Sequence, residues 1–379
     1  MGVATSEVNC IEVQFIFDAL LENIAGPAYN YSVYNPGVMN AIRASLRTPG
    51  VSAVDTQRLG VLPDDNGNDK CKWQVWYKTP NCRRAIECGD SESLCPTETN
   101  IDNSRKCAYP TMGKCLKDGF KQTLPDYRCM VEGETRHFMD NLRSVYEGFK
   151  LAINERWREQ LISIIGNYLT LDSSGNVVDS ATNPRTVYYP NEITANTAWY
   201  GFSPIRNEYA RARLMMSPTL IGGSSVINYD IFRQQSGQQG TQGNPYNVFY
   251  DPEMDLDLGS DRIISFIPGT VSPLWWTDAK PNQAPVWNTS TKTRDAFNIG
   301  AAFGEEDLWV ERIIQKDDCS ESISYSFRVW TDLFWVPADA YNLDCQQRSN
   351  LILQWKTSCS TYDCSDIIAP GGVIAPETT

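Results

Sequence analysis

The sequence predicts an α+β fold, with one very long helix ahead of a half of the chain that is rich in short strands. Apolar residues recur at steps of three and four from Phe138 to Tyr168, which is the helical period. From Ser217 onward, short runs of apolar, β-branched and aromatic residues lie between glycines, prolines and asparagines, which is typical of strands. Between Val61 and Met130 there is little periodic pattern, so an extended, loop-like region is predicted to precede the helix.

The helix is predicted from Glu132 to Leu169, with Thr135 as its N-cap. Its apolar side comprises Phe138, Leu142, Val145, Phe149, Ile153, Trp157, Leu161, Ile165 and Tyr168, and its solvated or interface side comprises Arg143, Glu147, Lys150, Glu155, Arg158 and Glu159. A helix of this length is a rod of roughly 50 Å, whereas globular helices average about 11 or 12 residues. Two interpretations remain open: a long core helix of an ordinary enzyme domain, or a spine that braces a flat, extended subunit.

Four consecutive regions are predicted around this helix. Residues 1–60 form an N-terminal arm with short helices at Val8–Ile24 and Val38–Leu46, and the apolar residues of this arm must be covered elsewhere. Residues 61–130 form a cysteine-rich extended loop, in which Lys72–Lys78 alternates well enough for one strand. Residues 131–170 hold the long helix. Residues 171–379 form a β-rich region of mixed α/β structure.

The second half is predicted to contain one short helix, Asn207–Met216, and a series of strands. The strands are Thr186–Tyr189, Thr194–Phe202, Tyr246–Tyr250, Arg262–Ile267, Gly269–Trp276, Leu308–Gln315, Ile323–Pro337 and Leu351–Trp355. Ile323–Pro337 carries aromatic residues at both odd and even positions, so it is predicted to lie centrally in a sheet with both faces covered.

The charge balance argues against a nucleic-acid-binding protein of the usual basic kind. The formal net charge is -13 and the sequence pI is about 4.7, whereas such proteins attract phosphates with an excess of Lys and Arg.

The longest apolar runs are far shorter than the roughly 18 residues that span a bilayer, so no membrane association is predicted. Residues 1–6 lack the basic and apolar parts of a secretory signal.

The 12 cysteines are concentrated in the loop region. The candidate disulfide cysteines are Cys71, Cys82, Cys88, Cys95, Cys107, Cys115, Cys129, Cys319, Cys345, Cys359 and Cys364. The sequence contains no Cys-x-x-Cys pair and a single histidine, His137, so the ordinary structural zinc spacings are missing. Disulfides that staple a loop-rich segment are favoured over an all-cysteine metal site.

No pattern in the sequence predicts an enzyme, a cofactor or a metal. The P-loop, the dinucleotide-binding turn and the Gly-x-Ser-x-Gly elbow are all missing. The lone His137 near the start of the helix is interpreted as structural. The acidic cluster of Asp251, Glu253, Asp255, Asp257 and Asp261 is interpreted as a solvated loop or edge strand, and cation binding is the alternative.

The order of parts, arm, loop, very long helix and β-rich half, resembles the major capsid proteins of tailed bacteriophages, whose shell fold encapsulins share. The helix stands where the spine helix of that family stands, and the Ser326–Ala340 stretch, Ser-Phe-Arg-Val-Trp-Thr-Asp-Leu-Phe-Trp-Val-Pro-Ala-Asp-Ala, resembles a late strand of such proteins. The stretches Tyr250–Asp255 and Gly269–Val271 are weakly similar to capsid proteins of phages that infect Bacteroidetes. In that family a peripheral and an axial domain follow the spine helix, and the resemblance assigns residues 171–379 to these two domains. Twelve cysteines depart from the family pattern.

This resemblance implies a structural subunit that self-assembles, as hexamers and pentamers, into an icosahedral shell enclosing double-stranded DNA. The subunit would be assembled in the host cytoplasm and located in the virion, with other virion proteins as partners and no sequence-specific contact with the packaged DNA. The candidate intersubunit interface residues are Trp73, Trp76, Phe138 and Trp157. The alternatives are another virion component, such as a portal, neck or tail protein, or a secreted disulfide-rich adhesin that binds glycans.

Overall fold

The structure is a computed structural model. It describes residues 36–47, 55–63, 69–77, 106–108, 110–112, 115–123, 133–165, 169–171, 177–179, 185–189, 203–211, 217–224, 226, 247–277, 286–289, 292–303, 308–317, 322–336 and 352–359. The predicted helix Val8–Ile24 and the predicted strand Thr194–Phe202 lie outside these residues.

The predicted mixture of helix and strand is confirmed. The helices are α1 (Gly37–Arg47), α2 (Gly133–Ile165), α3 (Ser203–Arg211) and the short α4 (Met254–Asp257). The strands before and just after α2 are β1 (Asp55–Pro63), β2 (Asp69–Tyr77), β3 (Lys106–Ala108), β4 (Thr111–Met112), β5 (Cys115–Thr123), β6 (Leu169–Leu171), β7 (Val177–Asp179) and β8 (Arg185–Tyr189). The later strands are β9 (Thr219–Gly222), β10 (Asn247–Tyr250), β11 (Arg262–Phe266), β12 (Val271–Trp276), β13 (Val286–Thr289), β14 (Lys292–Asn298), β15 (Trp309–Asp317), β16 (Ser322–Trp335) and β17 (Ile352–Cys359).

These strands form four sheets. The sheet before α2 has the order β1-β2-β3, with β4 also paired to β2. A five-stranded sheet has the order β10-β9-β11-β17-β8, and β6 and β7 form a two-stranded ribbon. A six-stranded sheet has the order β12-β16-β15-β14-β13, with β5 also paired to β16. The predicted central position of the Ile323–Pro337 strand is confirmed, because β16 has β15 on one edge and β5 on the other.

The region predicted as one extended loop contains more strand than the single Lys72–Lys78 segment. Within 61–130, the structure describes the last three residues of β1 and all of β2 to β5, each of which has an antiparallel partner. Strand β5 was missed because its sequence, Cys-Leu-Lys-Asp-Gly-Phe-Lys-Gln-Thr, has few apolar residues: its burial alternates only weakly, and Lys117, Asp118 and Lys121 are exposed. Such an edge strand gives almost no apolar period to read.

The long helix is confirmed, with 33 residues from Gly133 to Ile165, or roughly 50 Å. Every described residue on its predicted apolar side is buried, from Phe138 to Ile165, and Tyr168 lies outside the described residues. The predicted N-cap is wrong, because Thr135 lies inside the first turn. The predicted solvated side is wrong at two positions, since Lys150 and Arg158 are each only 5% exposed.

The chain divides into two compact units, each built from separate stretches of sequence. Unit 1 includes Gly113–Ile153 and Trp275–Thr331, and unit 2 includes Pro36–Met112, Asn154–Leu274 and Asp332–Thr379. The division falls inside α2, after Ile153, so the helix contributes residues to both units. This division differs from the four consecutive regions predicted from the sequence, because strands distant in the chain pair in one sheet.

The apolar side chains of α1, the helix of the predicted arm, are buried by other parts of the same chain. Val38, Met39, Ala41 and Ile42 of α1 are at most 2% exposed, although no second copy is present. The resemblance to shell subunits implies that neighbouring copies bury the apolar residues of the arm, and this expectation is wrong for α1. The part of the arm before residue 36 lies outside the described residues.

None of the helices in the described part of the chain is both long and apolar enough to cross a membrane.

Candidate functional site

In unit 2, the start of α1 is held by two side chains that are distant in sequence. The backbone N–H of Val38 donates to Asp251 Oδ2 at 3.2 Å, and that of Met39 donates to Asn154 Oδ1 at 3.0 Å. Asn154 Nδ2 in turn donates to Asp251 Oδ2 at 2.7 Å. Both side chains are fully buried. They therefore satisfy helix N–H groups that have no partner within the helix itself.

Gly37 allows this close approach. A Cβ at this position would lie 2.2 Å from the carbonyl oxygen of Tyr250 and 2.7 Å from Cβ of Asp251. Only glycine fits against this backbone, so the sequence Pro36-Gly37-Val38 determines where α1 can dock.

Arg158 of α2 lies among three carboxylates of the segment that follows β10. Its Nε donates to Asp257 Oδ2 at 2.5 Å, its Nη1 donates to Glu253, and Nη1 lies 3.9 Å from Asp251 Oδ1. Burial acts to lower the pKa of Arg158, but hydrogen bonds and charge interactions with Asp257 and Glu253 outweigh it, and the pKa is raised. The guanidinium therefore stays charged and neutralises part of the acidic segment.

Asp255, in the middle of the same acidic segment, is held by Ser224. The Ser224 N–H lies 2.9 Å and 3.1 Å from the two oxygens of Asp255, and the hydroxyl of Ser224 donates to the same carboxylate. A Cβ on the adjacent Gly223 would lie 1.7 Å from Asp255 Oδ1, so this turn requires glycine. Burial, together with the charges of Asp255 and Asp251, raises the pKa of Tyr250 above its ordinary value of 10.0.

These contacts correct the interpretation of the acidic cluster as a solvated loop or edge strand. Asp251 is fully buried, and Asp255 and Asp257 belong to the short helix α4. The positive charge beside Asp251, Glu253 and Asp257 comes from Arg158. The arrangement joins α1, α2 and α4 within unit 2, so its role is structural.

A second group of contacts extends from α2 toward the end of β16. Arg156 Nε and Nη2 lie 3.0 Å and 2.7 Å from Asp332 Oδ1, and Gln160 Nε2 donates to the same oxygen at 2.8 Å. Gln160 Oε1 accepts the backbone N–H of Leu333 at 2.9 Å. Side chains in the last three turns of α2 thus bond to the acidic segment after β10 and to the end of β16. These bonds fix the rotation of this part of α2 about its own axis within unit 2.

In unit 1, the first half of α2 packs on the six-stranded sheet through aromatic rings. Phe138 lies edge-to-face against Phe120, with centroids 5.5 Å apart, and against Tyr325 at 5.1 Å. Phe120 and Tyr325 stack at 5.0 Å. The guanidinium of Arg143 lies 4.8 Å from the Phe303 ring centroid. Ring pairs of this kind add to the burial energy of the core.

The structure shows how much of each predicted interface residue is accessible in a single chain. Trp157 is fully buried, and Trp73 and Phe138 are 8% and 9% exposed. These three side chains are core residues of the isolated subunit and offer little surface to a neighbour. Trp76 on β2 is half-buried and retains accessible surface.

The predicted cysteines and the lone histidine are placed only in part. Cys107 and Cys115 are described as thiols, with Gln74 Nε2 donating to Cys107 Sγ at 3.5 Å. Cys71 and Cys359 lie in β2 and β17, and the other candidate disulfide cysteines lie outside the described residues. His137 Nδ1 lies 2.6 Å from Asn141 Nδ2, one helical turn away. Both residues belong to α2, so the contact agrees with the interpretation of His137 as a structural residue.

The sequence analysis does not single out Asn154, the first residue of α2 in unit 2, and it assigns no site role to Arg158 or Asp332. Arg158 was placed on the solvated side because the helical period assigns polar residues to solvent. Its partners lie 95 and 99 residues away, and Asp332 lies 176 residues from Arg156. The available signal was the acidic run from Asp251 to Asp257, which needs a cation if it is buried.

No protein-family model matches the chain, and no curated protein matches it. Solved structures similar to it include the mature capsid of bacteriophage PhiM1, at 8% identity and a TM-score of 0.40 over 81% of this chain and 82% of that one. The Cyanophage A-1(L) capsid is similar at 11% identity and a TM-score of 0.37 over 88% and 97%. The SrpI encapsulin of Synechococcus elongatus PCC 7942 is similar at 11% identity and a TM-score of 0.34 over 68% and 79%. Alignments this loose carry no functional argument, so function is inferred from the chain's own elements.

Proposed function

We propose that the protein is a structural, non-enzymatic subunit of a viral icosahedral capsid. One observation carries the proposal: the 33-residue helix α2 follows a small antiparallel sheet and contributes to both compact units. That order matches the arm, extended loop, spine helix and β-rich domains of the tailed-phage shell subunits that the sequence resembles. On this proposal, unit 1 is the peripheral domain and unit 2 the axial domain.

The internal contacts of each unit suit a subunit that must fold identically in many copies. Arg158, Arg156 and Asn154 fix α2 to unit 2, and the Phe138 cluster fixes it to the sheet of unit 1. A symmetric shell uses the same interface in every copy, so units that are well ordered internally suit repeated assembly.

The resemblance to tailed-phage capsid proteins also supports proposals on assembly, contents, location and partners. The subunits self-assemble as hexamers and pentamers into a shell that encloses double-stranded DNA, which they contact without reading its sequence. Assembly takes place in the host cytoplasm and the product is the virion, with other virion proteins as partners. A host among the Bacteroidetes rests only on the weak similarity of Tyr250–Asp255 and Gly269–Val271.

Electron microscopy of the purified full-length protein tests the function. We expect closed icosahedral particles. A ring of fixed symmetry would instead favour a portal or neck protein, and stacked discs or tubes would favour a tail protein. A monomer that binds glycans in calorimetry would favour the adhesin.

The disulfide prediction is tested on intact particles. We predict that most of the cysteines from Cys71 to Cys129 pair within one subunit, because they lie close together in sequence and would staple one loop-rich region. Non-reducing gels should then show a monomer band that shifts on reduction. A ladder of covalent oligomers that collapses with reductant would contradict this pairing.

A further inference from the structure

Strands β5, β15 and β16 of unit 1 meet at one end of the six-stranded sheet. Ser322, the first residue of β16, lies opposite Thr123 of β5 on one edge and opposite Asp317 of β15 on the other. Cross-strand partners of this kind lie about 5 Å apart. Strand β5 therefore ends beside the turn that joins β15 to β16.

Helix α2 begins over the same end of the sheet. Phe138 packs edge-to-face on Phe120 of β5, with ring centroids 5.5 Å apart. Ten residues further along the helix, a Cβ on Gly148 would lie 3.0 Å from Oδ2 of Asp118, which precedes Phe120 on β5. The helix thus runs from the Thr123 end of β5 toward its beginning. The first turn of α2 therefore lies nearest the end of the sheet that holds Thr123.

Two cysteines belong to the connections at this end. Cys319 lies in the turn 318–321 between β15 and β16, and Cys129 lies in the connection 124–132 between β5 and α2. Both cysteines are outside the described residues, but the described residues on either side of each limit where it can be.

The length of the chain brings the two cysteines within reach of each other. Cys319 is three residues from Ser322, a distance of at most about 11 Å. Cys129 is six residues from Thr123 and four from Gly133, so it lies at most about 21 Å from the first and 14 Å from the second. Because Ser322 and Thr123 are cross-strand partners, these ranges overlap. A disulfide requires Cα atoms about 4.4 to 6.8 Å apart, which the overlap allows.

The sequence ranges of unit 1 include two further cysteines, Cys10 and Cys115. Cys115 lies opposite Trp330 on the outward side of the sheet, the side away from α2. It is eight residues from Thr123, about 27 Å along the strand, and it is an exposed thiol. Cys10 belongs to the part of the arm outside the described residues. Of the unit 1 cysteines, Cys129 and Cys319 are therefore the pair that the described elements bring to one place.

We propose that Cys129 and Cys319 of one subunit form a disulfide that joins the segment before α2 to the β15–β16 turn. The bond forms by exchange with a low-molecular-weight disulfide such as oxidised glutathione. One cysteine thiolate attacks this oxidant and releases a small thiol, and the second thiolate attacks the mixed disulfide and releases another. The two cysteines lose two protons and two electrons, and the oxidant is reduced to two thiols.

This bond goes beyond the proposed function and does not depend on it, because both cysteines belong to one unit of one chain. It closes a loop of about 190 residues, and closing a long loop restricts the unfolded chain strongly. The reduced chain lacks this restriction. The same subunit is therefore more stable in an oxidising medium than in a reducing cytoplasm.

Tryptic peptide mapping of the full-length protein tests the pairing. Trypsin cleaves after Lys and Arg, so it releases peptides 129–136 and 317–328, each with a single cysteine. The protein is equilibrated with oxidised glutathione, its free thiols are alkylated, and it is digested without reduction. We expect the two peptides in one linked species that comes from the monomer band of a non-reducing gel and is lost on reduction.

Serine variants test the effect of the bond on stability. Cys319→Ser should lower the thermal unfolding midpoint of the oxidised protein by at least about 5 °C, and should leave that of the reduced protein unchanged. Cys129→Ser should give the same shift, and the double variant no larger one, because either change removes the same bond. Cys115→Ser is the matched control and should equal the wild type under both conditions.

Four results would overturn the inference. Both peptides are alkylated in the oxidised wild type, or peptide 129–136 is linked to a cysteine other than Cys319. The linked species occurs only in a dimer band, which places the bond between copies. The midpoint of Cys319→Ser is lowered equally in the reduced protein, which shows lost packing rather than a lost bond. Particle formation by the wild type is measured separately, so none of these results decides the capsid proposal.

Discussion

Arg158→Met should lower the free energy of unfolding of the full-length chain by about 3 kcal/mol, the lower end of the cost of breaking a buried ion pair. The substitution keeps a long side chain in the helix but removes the cation beside Asp251, which is fully buried. The estimate is at the lower end because Glu253 and Asp257 are 33% and 41% exposed and water screens their charges. Urea unfolding, with the slope compared between variants, measures the change.

Arg206→Met is the matched control for this experiment. Arg206 is an exposed arginine on α3 in the same unit, and its replacement should change the free energy of unfolding by less than about 0.5 kcal/mol. If Arg158→Met were as stable as Arg206→Met, the carboxylates around Arg158 would not depend on its charge, and the structural role given to the acidic segment would be wrong.

Trp157→Ala should destabilise the chain by about 4 kcal/mol, as expected for a large aromatic side chain removed from a packed core. Trp157 is fully buried and belongs to the part of α2 that lies in unit 2. Alanine favours the helical conformation, so the loss reports packing rather than helix propensity. Thermal and urea unfolding both measure it, and we also expect fewer assembled particles.

Leu151→Ala provides the comparison on the same helix. Leu151 is 41% exposed, so its truncation should cost less than about 1 kcal/mol. Equal losses for the two variants would mean that Trp157 does not occupy a packed core in the protein. In that case we would expect Trp157 to lie at an interface between subunits, as predicted from the sequence, and the variant would be compared with the wild type in assembled particles.

Asn154→Ala should loosen the start of α1 without unfolding the whole chain. The buried amide connects the Met39 N–H to the Asp251 carboxylate, and its loss leaves both without that partner, at a cost of about 2 kcal/mol. Hydrogen exchange should rise in the peptide covering Gly37–Arg47. Ser163→Ala, an exposed position later in the same helix, should leave that exchange unchanged.

The sequence predicts the long helix well, because its signal is local. Phe138, Leu142 and Trp157 recur at the helical period, and the structure buries all three. Strand β16 is equally readable, since it carries apolar and aromatic residues along its whole length. Strand β5 is not readable, because its outward side carries Lys117 and Lys121 in place of an apolar alternation.

The polar contacts of the site could not be predicted, for a different reason. The period of α2 identifies its buried side but cannot show which polar residues meet a distant partner. Arg158 and Glu155 look alike in the pattern, yet Arg158 is 5% exposed and Glu155 lies on the exposed side. The difference arises from the Asp251–Asp257 segment, which only the folded chain brings to α2.

Sedimentation velocity of the purified wild-type chain over a range of concentrations tests the capsid proposal most directly. The proposal predicts a discrete, very large particle in equilibrium with small assembly units, and few species of intermediate size. A single monomeric species at every concentration, stable and cooperatively folded, would contradict it.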